Sequence, residues 1–196
     1  MVSKAMKTAA SRYGAYTTPG LSTEDGHRVA GVLQDRLNAL NDLALTLKHV
    51  HWNVVGPHFI GVHEMIDPHV VEVRAMVDET AERIATLGAA PIGTPQAIVE
   101  HRNWDDYSLA RGTTDAHLGA LDVVYVGLLG SHRKALEAVE IDPVSEDMLI
   151  GQIKQLELFH WFVRAHLESV TGDLPTQEGD GEADAAEHAA ASAHSA

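Results

Sequence analysis

The sequence contains no cysteine, which removes disulfide staples, thiolate metal sites and cysteine nucleophiles from consideration. Long hydrophobic runs are missing too: no stretch approaches the ~20 apolar residues that a membrane helix needs. The opening segment, MVSKAMKTAASRYGAYTTPG, is basic but lacks the apolar centre of a secretory signal, so a soluble cytoplasmic protein is expected. Aromatic residues supply only 5% of the chain while the hydrophobic fraction reaches 45%. A core must therefore be built mainly from Ala, Leu and Val. With Glu, these favour helix, and an all-α class is expected. The 196 residues suffice for one well-filled domain with flexible ends.

Positive charge is scarce as well. The formal net charge is −14, unevenly placed. Residues 1–20 carry Lys4, Lys7 and Arg12 and no acid, whereas residues 173–196 carry six acids and neither Lys nor Arg. The body between has 22 acids against 11 bases. Such a body repels nucleic acid and attracts cations, so any DNA contact falls to the short N-terminal arm, with Lys4, Lys7 and Arg12 as candidates.

Hydrophobic periodicity organises the rest. Ser22-Thr23-Glu24-Asp25 reads as a helix start, and Val29, Leu33, Leu37, Leu40, Leu43, Leu47 and Val50 recur at helical spacing until Gly56-Pro57. A second helix is expected from about His58 to Leu87, bent at Pro68 and closed by Gly88 at the favoured position past its end. Thr94-Pro95 opens a short helix to about Arg102. A third long helix is expected from about Ser108 to Val139. A fourth, capped by Ser145, should run to about Ser169. The predicted organisation is thus a flexible arm over 1–20, a four-helix bundle over 21–172 with a short extra helix between its second and third helices, and a disordered acidic tail over 173–196.

The second helix carries the chemistry. His63 and Asp67 form one i,i+4 pair of metal-ligand types, and Asp78 and Glu82 form another. All four fall within a ~100° arc of one helix face. Imidazole with carboxylate and without sulfur suits iron, manganese or zinc. Acidic helix faces are usually plain solvated surface, but two such pairs in phase on one helix are less easily dismissed. Asp67 and Asp78 lie ~16 Å apart along a straight helix, beyond the span of one ion. The pairs belong either to different sites or to one site assembled from two chains. An antiparallel two-fold contact would set His63 and Asp67 opposite Asp78 and Glu82 of a second copy. His51, beside Trp52 near the end of the first helix, could reach the same groove.

The segments LTLKHVHWNVVGPHFIGVHEMID, VDETAERIATLG, NWDDYSLARGTTDAHL and LELFHWFVRAHLE closely resemble the Dps proteins of the ferritin-like superfamily. The likeness spans about residues 20–170. The resemblance implies a hollow homododecamer of four-helix subunits, with iron-oxidising centres at two-fold interfaces. The centre would take His51, His63 and Asp67 from one subunit and Asp78 and Glu82 from its partner. It also implies oxidation of Fe(II), usually by hydrogen peroxide with oxygen as the alternative, storage of Fe(III), iron homeostasis and protection against oxidative stress. Trp52 resembles the family's tryptophan beside the iron site. Asp147 resembles an acid of the family's ion pore, whose mouth Asp142 could share.

Other readings compete. An intra-bundle ferritin centre needs Glu-x-x-His on two helices; Glu157 and His160 supply one copy, and the second helix has no counterpart. A nucleoid-binding structural role would rest on the basic arm, multiplied by assembly and opposed by the equally multiplied acidic tail. His188 and His194, set in an Ala/Ser/Gly segment, define no metal site by spacing.

Overall fold

The computed structural model describes residues 11–193. Its elements are helix α1 (Thr23–Asn53), strand β1 (Val54–Val55), helices α2 (Phe59–Thr86) and α3 (Pro95–His101), strand β2 (Gly112–Thr113) and helices α4 (Thr114–Ala138), α5 (Pro143–Leu167) and α6 (Glu182–Ala193). The expected all-α ferritin-like bundle is formed by α1, α2, α4 and α5, with α3 as the short helix between the second and third. Ser22 opens α1 as expected, its side chain accepting from the Asp25 amide. Helix α2 passes through Pro68 and ends before Gly88, whose φ of +83° only glycine adopts comfortably. A Cβ there would also lie 2.0 Å from the Tyr16 carbonyl oxygen.

The core falls into two apolar layers. One gathers Leu40, Leu47, Val70, Val73, Leu121, Tyr125, Leu156 and Phe159; the other gathers Val29, Leu33, Ile84, Leu87, Val139 and Leu149. Buried polar residues occur alongside them: Arg36 from α1, Thr80 from α2, His132 from α4 and Gln152 from α5. Gln152 Nε2 donates to Thr80 Oγ1 at 3.0 Å, and Thr80 donates onward to the Met76 carbonyl.

Several boundaries differ from the sequence expectation. Helix α4 begins at Thr114 rather than near Ser108. Thr113 caps it, accepting from the Ala116 amide. The residues before it serve other structures: Gly112 and Thr113 pair in parallel with Val54 and Val55, and the Ser108 and Leu109 amides donate to Glu182. Ser145 does not cap α5. It lies fully buried inside the first turn, which Asp142 and Pro143 open. Within the segment expected as an arm over 1–20, residues 12–14 are tied to the body: Gly14 donates to the Gly88 carbonyl and Ala90 to that of Arg12, and Tyr13 bridges to Ala89.

The expectation of a wholly disordered tail over 173–196 is corrected most plainly. Helix α6 packs on α4 through Ala185, Ala186 and Ala189. Gly119 permits the approach, since a Cβ there would stand 2.4 Å from the Ala185 carbonyl oxygen. Thr176 Oγ1 donates to Asp122 Oδ2 at 2.6 Å, while Asp122 Oδ1 accepts from His160 Nε2 and Arg164 Nε, each at 2.6 Å. Burial works against the charge of Asp122, yet these three donors outweigh it and hold the carboxyl at about 2. Asp122→Ala is expected to remove about 2 kcal/mol of stability by leaving buried donors unpaired. It should also speed proteolysis within residues 173–193, read by mass spectrometry; an unchanged cleavage rate would count against Asp122 as the anchor.

Candidate metal centre

The α1–α2 connection brings three of the expected ligands together. His51, near the end of α1, is buried, and His63 lies one turn into α2. Each ring reaches across to the other's backbone: His51 Nδ1 donates to the His63 carbonyl and His63 Nδ1 to the His51 carbonyl, both at 2.9 Å. The rings stack with centroids 3.6 Å apart. A carbonyl oxygen can only accept, so both imidazoles carry their proton on Nδ1. In the neutral ring this leaves the lone pair on Nε2, the nitrogen a metal ion would take.

Asp67 stands beside them, its Oδ1 3.4 Å from His51 Nδ1 and 2.9 Å from Lys48 Nζ. The hydrogen bond from Lys48 holds its carboxyl below the usual range. Lys48, which the sequence reading passed over, also lies 5.8 Å from the Trp52 ring centroid. Its spacing was the available signal, three residues before His51 and four before Trp52 on one helix. Trp52 itself is 71% exposed, which a tryptophan in ordinary core packing would not be.

Asp78 and Glu82 lie further along α2, both exposed, and their carboxylates have no partner among the described residues. Nor do any three His, Asp or Glu side chains among those residues form a group able to hold an ion. A single chain thus carries two separate groups of ligand-type side chains, one of imidazole and carboxylate and one of carboxylates alone.

The remaining sequence candidates separate. Asp142, expected at an ion pore, is buried and accepts from the Arg83 guanidinium and Ser145 Oγ. Burial opposes its charge, but those bonds prevail and keep the carboxyl below its ordinary range; it is committed to a largely buried ion pair with Arg83. Asp147 is exposed and borders a cavity of about 540 Å³ with Glu72 and Glu79. His160 is spent on Asp122 and Glu157 on Arg133 at the surface, so no intra-bundle centre forms around them. Burial pushes His69 down to about 4, and it stacks on Phe159 as a neutral packing residue. His188 pairs with Asp180, while His194 lies outside the described residues. Of the DNA candidates, Lys4 and Lys7 also lie outside them. Arg12 is half-buried and donates to Gln34 Oε1 at 3.0 Å, so it is held against the body.

Four long helices with a short helix between the second and third make this a ferritin-like protein. The ferritin-like domain of the Ferritin family matches residues 31–172. A DNA protection during starvation protein of Mycolicibacterium smegmatis is 60% identical over 166 residues, covering 84% of this chain and 90% of that one. The solved DpsA14 of Streptomyces coelicolor superposes with a TM-score of 0.83 at 61% identity, covering 85% of this chain and 100% of that one. A tetragonal form of Mycobacterium smegmatis Dps does so at 0.81 and 59%, covering 82% and 98%. Within the ferritin-like proteins, this chain belongs to the Dps family. No helix among the described residues is long and apolar enough to cross a membrane.

Proposed function

We propose that this chain is a ferroxidase and iron-storage subunit, oxidising Fe(II) at centres shared between two copies and keeping Fe(III) inside a hollow dodecamer. The observation that carries it is the reciprocal pairing of His51 on α1 with His63 on α2, with Asp67 beside them, and His63 and Asp67 lie on the same helix as Asp78 and Glu82, whose carboxylates have no partner among the described residues. An isologous two-fold contact sets one half-site against the other. Iron is the substrate, and ligands of imidazole and carboxylate type fit it. The carboxylates hold Fe(III) more strongly than Fe(II), which favours loss of the electron at the site. Hydrogen peroxide, the proposed oxidant, takes one electron from each of two Fe(II) ions and two protons, and leaves as two waters. No hydroxyl radical is released when both electrons arrive together. Trp52, exposed beside the half-site, is placed to intercept stray oxidising equivalents.

Asp147, with Glu72 and Glu79 beside it, would draw Fe(II) inward along an acidic path. Protection of DNA, stated in the name of the mycobacterial relative, follows here from removal of Fe(II) and peroxide and requires no contact with nucleic acid. Such a protein would act in the cytoplasm, where the nucleoid lies. Fe(II) oxidation followed by absorbance, with peroxide or with oxygen, tests the assignment. Asp78→Ala/Glu82→Ala is expected to slow the reaction to that of Fe(II) without protein; a variant as fast as wild type would show that the centre lies elsewhere.

A further inference from the structure

Among the described residues, Arg36 is a buried charge without a counter-charge. It is 9% exposed, its guanidinium donates to Ser131 Oγ on α4, and its Nε has no partner among the described residues. The acid that acts on it electrostatically is Asp35, its own exposed neighbour on α1, and burial outweighs that effect to pull the guanidinium below its ordinary range. His132 adds no compensation, since burial and then Arg36 itself keep it neutral. An unpaired buried cation is among the costlier arrangements a fold can hold.

Arg36 and Ser131 open onto a cavity of about 470 Å³ between α1, α4, the loop before β2 and the start of α6. Leu43, Val124, Leu128, Trp104 and Tyr107 supply carbon walls. Four acids also border it, and three already have donors. Asp42 accepts from Trp104 Nε1 at 2.7 Å, Asp180 from the Gln177 amide and His188, and Glu182 from the Ser108 and Leu109 amides. The fourth, Asp105, is exposed.

We propose that this cavity binds a small monocarboxylate with an apolar body, its carboxylate on Arg36 and Ser131 and its hydrocarbon against Leu43, Val124 and Trp104. A guanidinium matches a carboxylate edge with two parallel donors, and the volume falls within the range of small-molecule sites. The bordering acids select against a second negative charge, which separates a carboxylate from a phosphate ester. The site is independent of the iron centre and of the half-sites on α2.

Isothermal titration of the assembled full-length protein with octanoate, octylamine and octyl phosphate tests the proposal. Octanoate is expected to bind saturably and more tightly than the other two. Arg36→Met should weaken it at least about tenfold, the usual order for loss of a charge-assisted hydrogen bond. Gly127 borders the same cavity, and a Cβ built on it meets nothing within 4 Å. Gly127→Leu should therefore fill the space without disturbing the fold, and weaken octanoate to a similar degree. The proposal is overturned if wild type shows no saturable binding at millimolar octanoate, if octylamine or octyl phosphate binds as tightly, or if either variant binds octanoate as wild type does. Should Arg36→Met not assemble, Gly127→Leu decides alone.

Discussion

Assemblies of His63→Ala subunits and assemblies of Asp78→Ala/Glu82→Ala subunits are each expected to lose Fe(II) oxidation, and a one-to-one co-assembly of the two is expected to regain about a quarter of it. The recovery follows from symmetry. Every two-fold interface of the proposed kind holds two centres, and each takes its histidine half from one chain and its carboxylate half from the other. Half of randomly mixed interfaces pair unlike subunits. In each of those, one centre is intact and the other has lost both halves. The expected loss in each pure assembly is at least about 100-fold, comparable with removal of several groups that act as one unit. A mixture as inactive as its parents would mean that both halves serve the same chain or separate sites. Co-assembly should start from subunits dissociated together, with wild type treated in the same way as the reference.

Acid should weaken the fold through His132. This imidazole is fully buried, and burial first, then the nearby Arg36 charge, lowers it from 6.5 to about 4. The unfolded chain takes up the proton near 6.5 while the folded one resists until about 4. Between those values the unfolded state binds more protons, so stability falls as pH falls. The loss is absent above the window and complete below it, on the order of 3 kcal/mol for this one group. His132→Leu removes the titration, and its urea midpoint should change less between pH 7 and pH 4.5 than that of wild type. Equal changes would assign the acid sensitivity to other groups. Asp122 does not blur the measurement. Its carboxyl is held at about 2, so its stabilisation is lost only as pH falls below the ordinary 3.8 toward that value.

The bundle helices were legible in the sequence because each buries a regular stripe of large aliphatic residues, and because Ser22, Gly88 and Pro143 mark their ends with local backbone chemistry. Helix α6 was not, since it packs through alanines, whose burial leaves little hydrophobic contrast along the chain. Its attachment also depends on Gly119, Asp122 and the Ser108 amide, all distant in sequence. The start of α4 was misplaced for the same reason, as nothing near Ser108 announces a bond to Glu182. At the site, residue types and helical phase were readable. The reciprocal backbone bonds of His51 and His63 were not, because they depend on how α1 and α2 meet. Asp142 and Arg12 show the converse failure: a charge that reads as available is already committed to Arg83 or to Gln34.

The crossed hydrogen bonds of His51 and His63 tie the fates of the two proposed ligands together. Each ring is held by the other's backbone carbonyl and by stacking on the other ring, with the Asp67 oxygen near His51 and the Phe59 ring tilted against His63 at 4.9 Å. Loss of one imidazole therefore removes a donor from the other's carbonyl and a stacking surface from its ring. Drift through a half-competent centre, one histidine short, gains little by retaining the second. Substitution at this corner is all-or-nothing, so the two positions are expected to be kept or abandoned together rather than eroded one at a time.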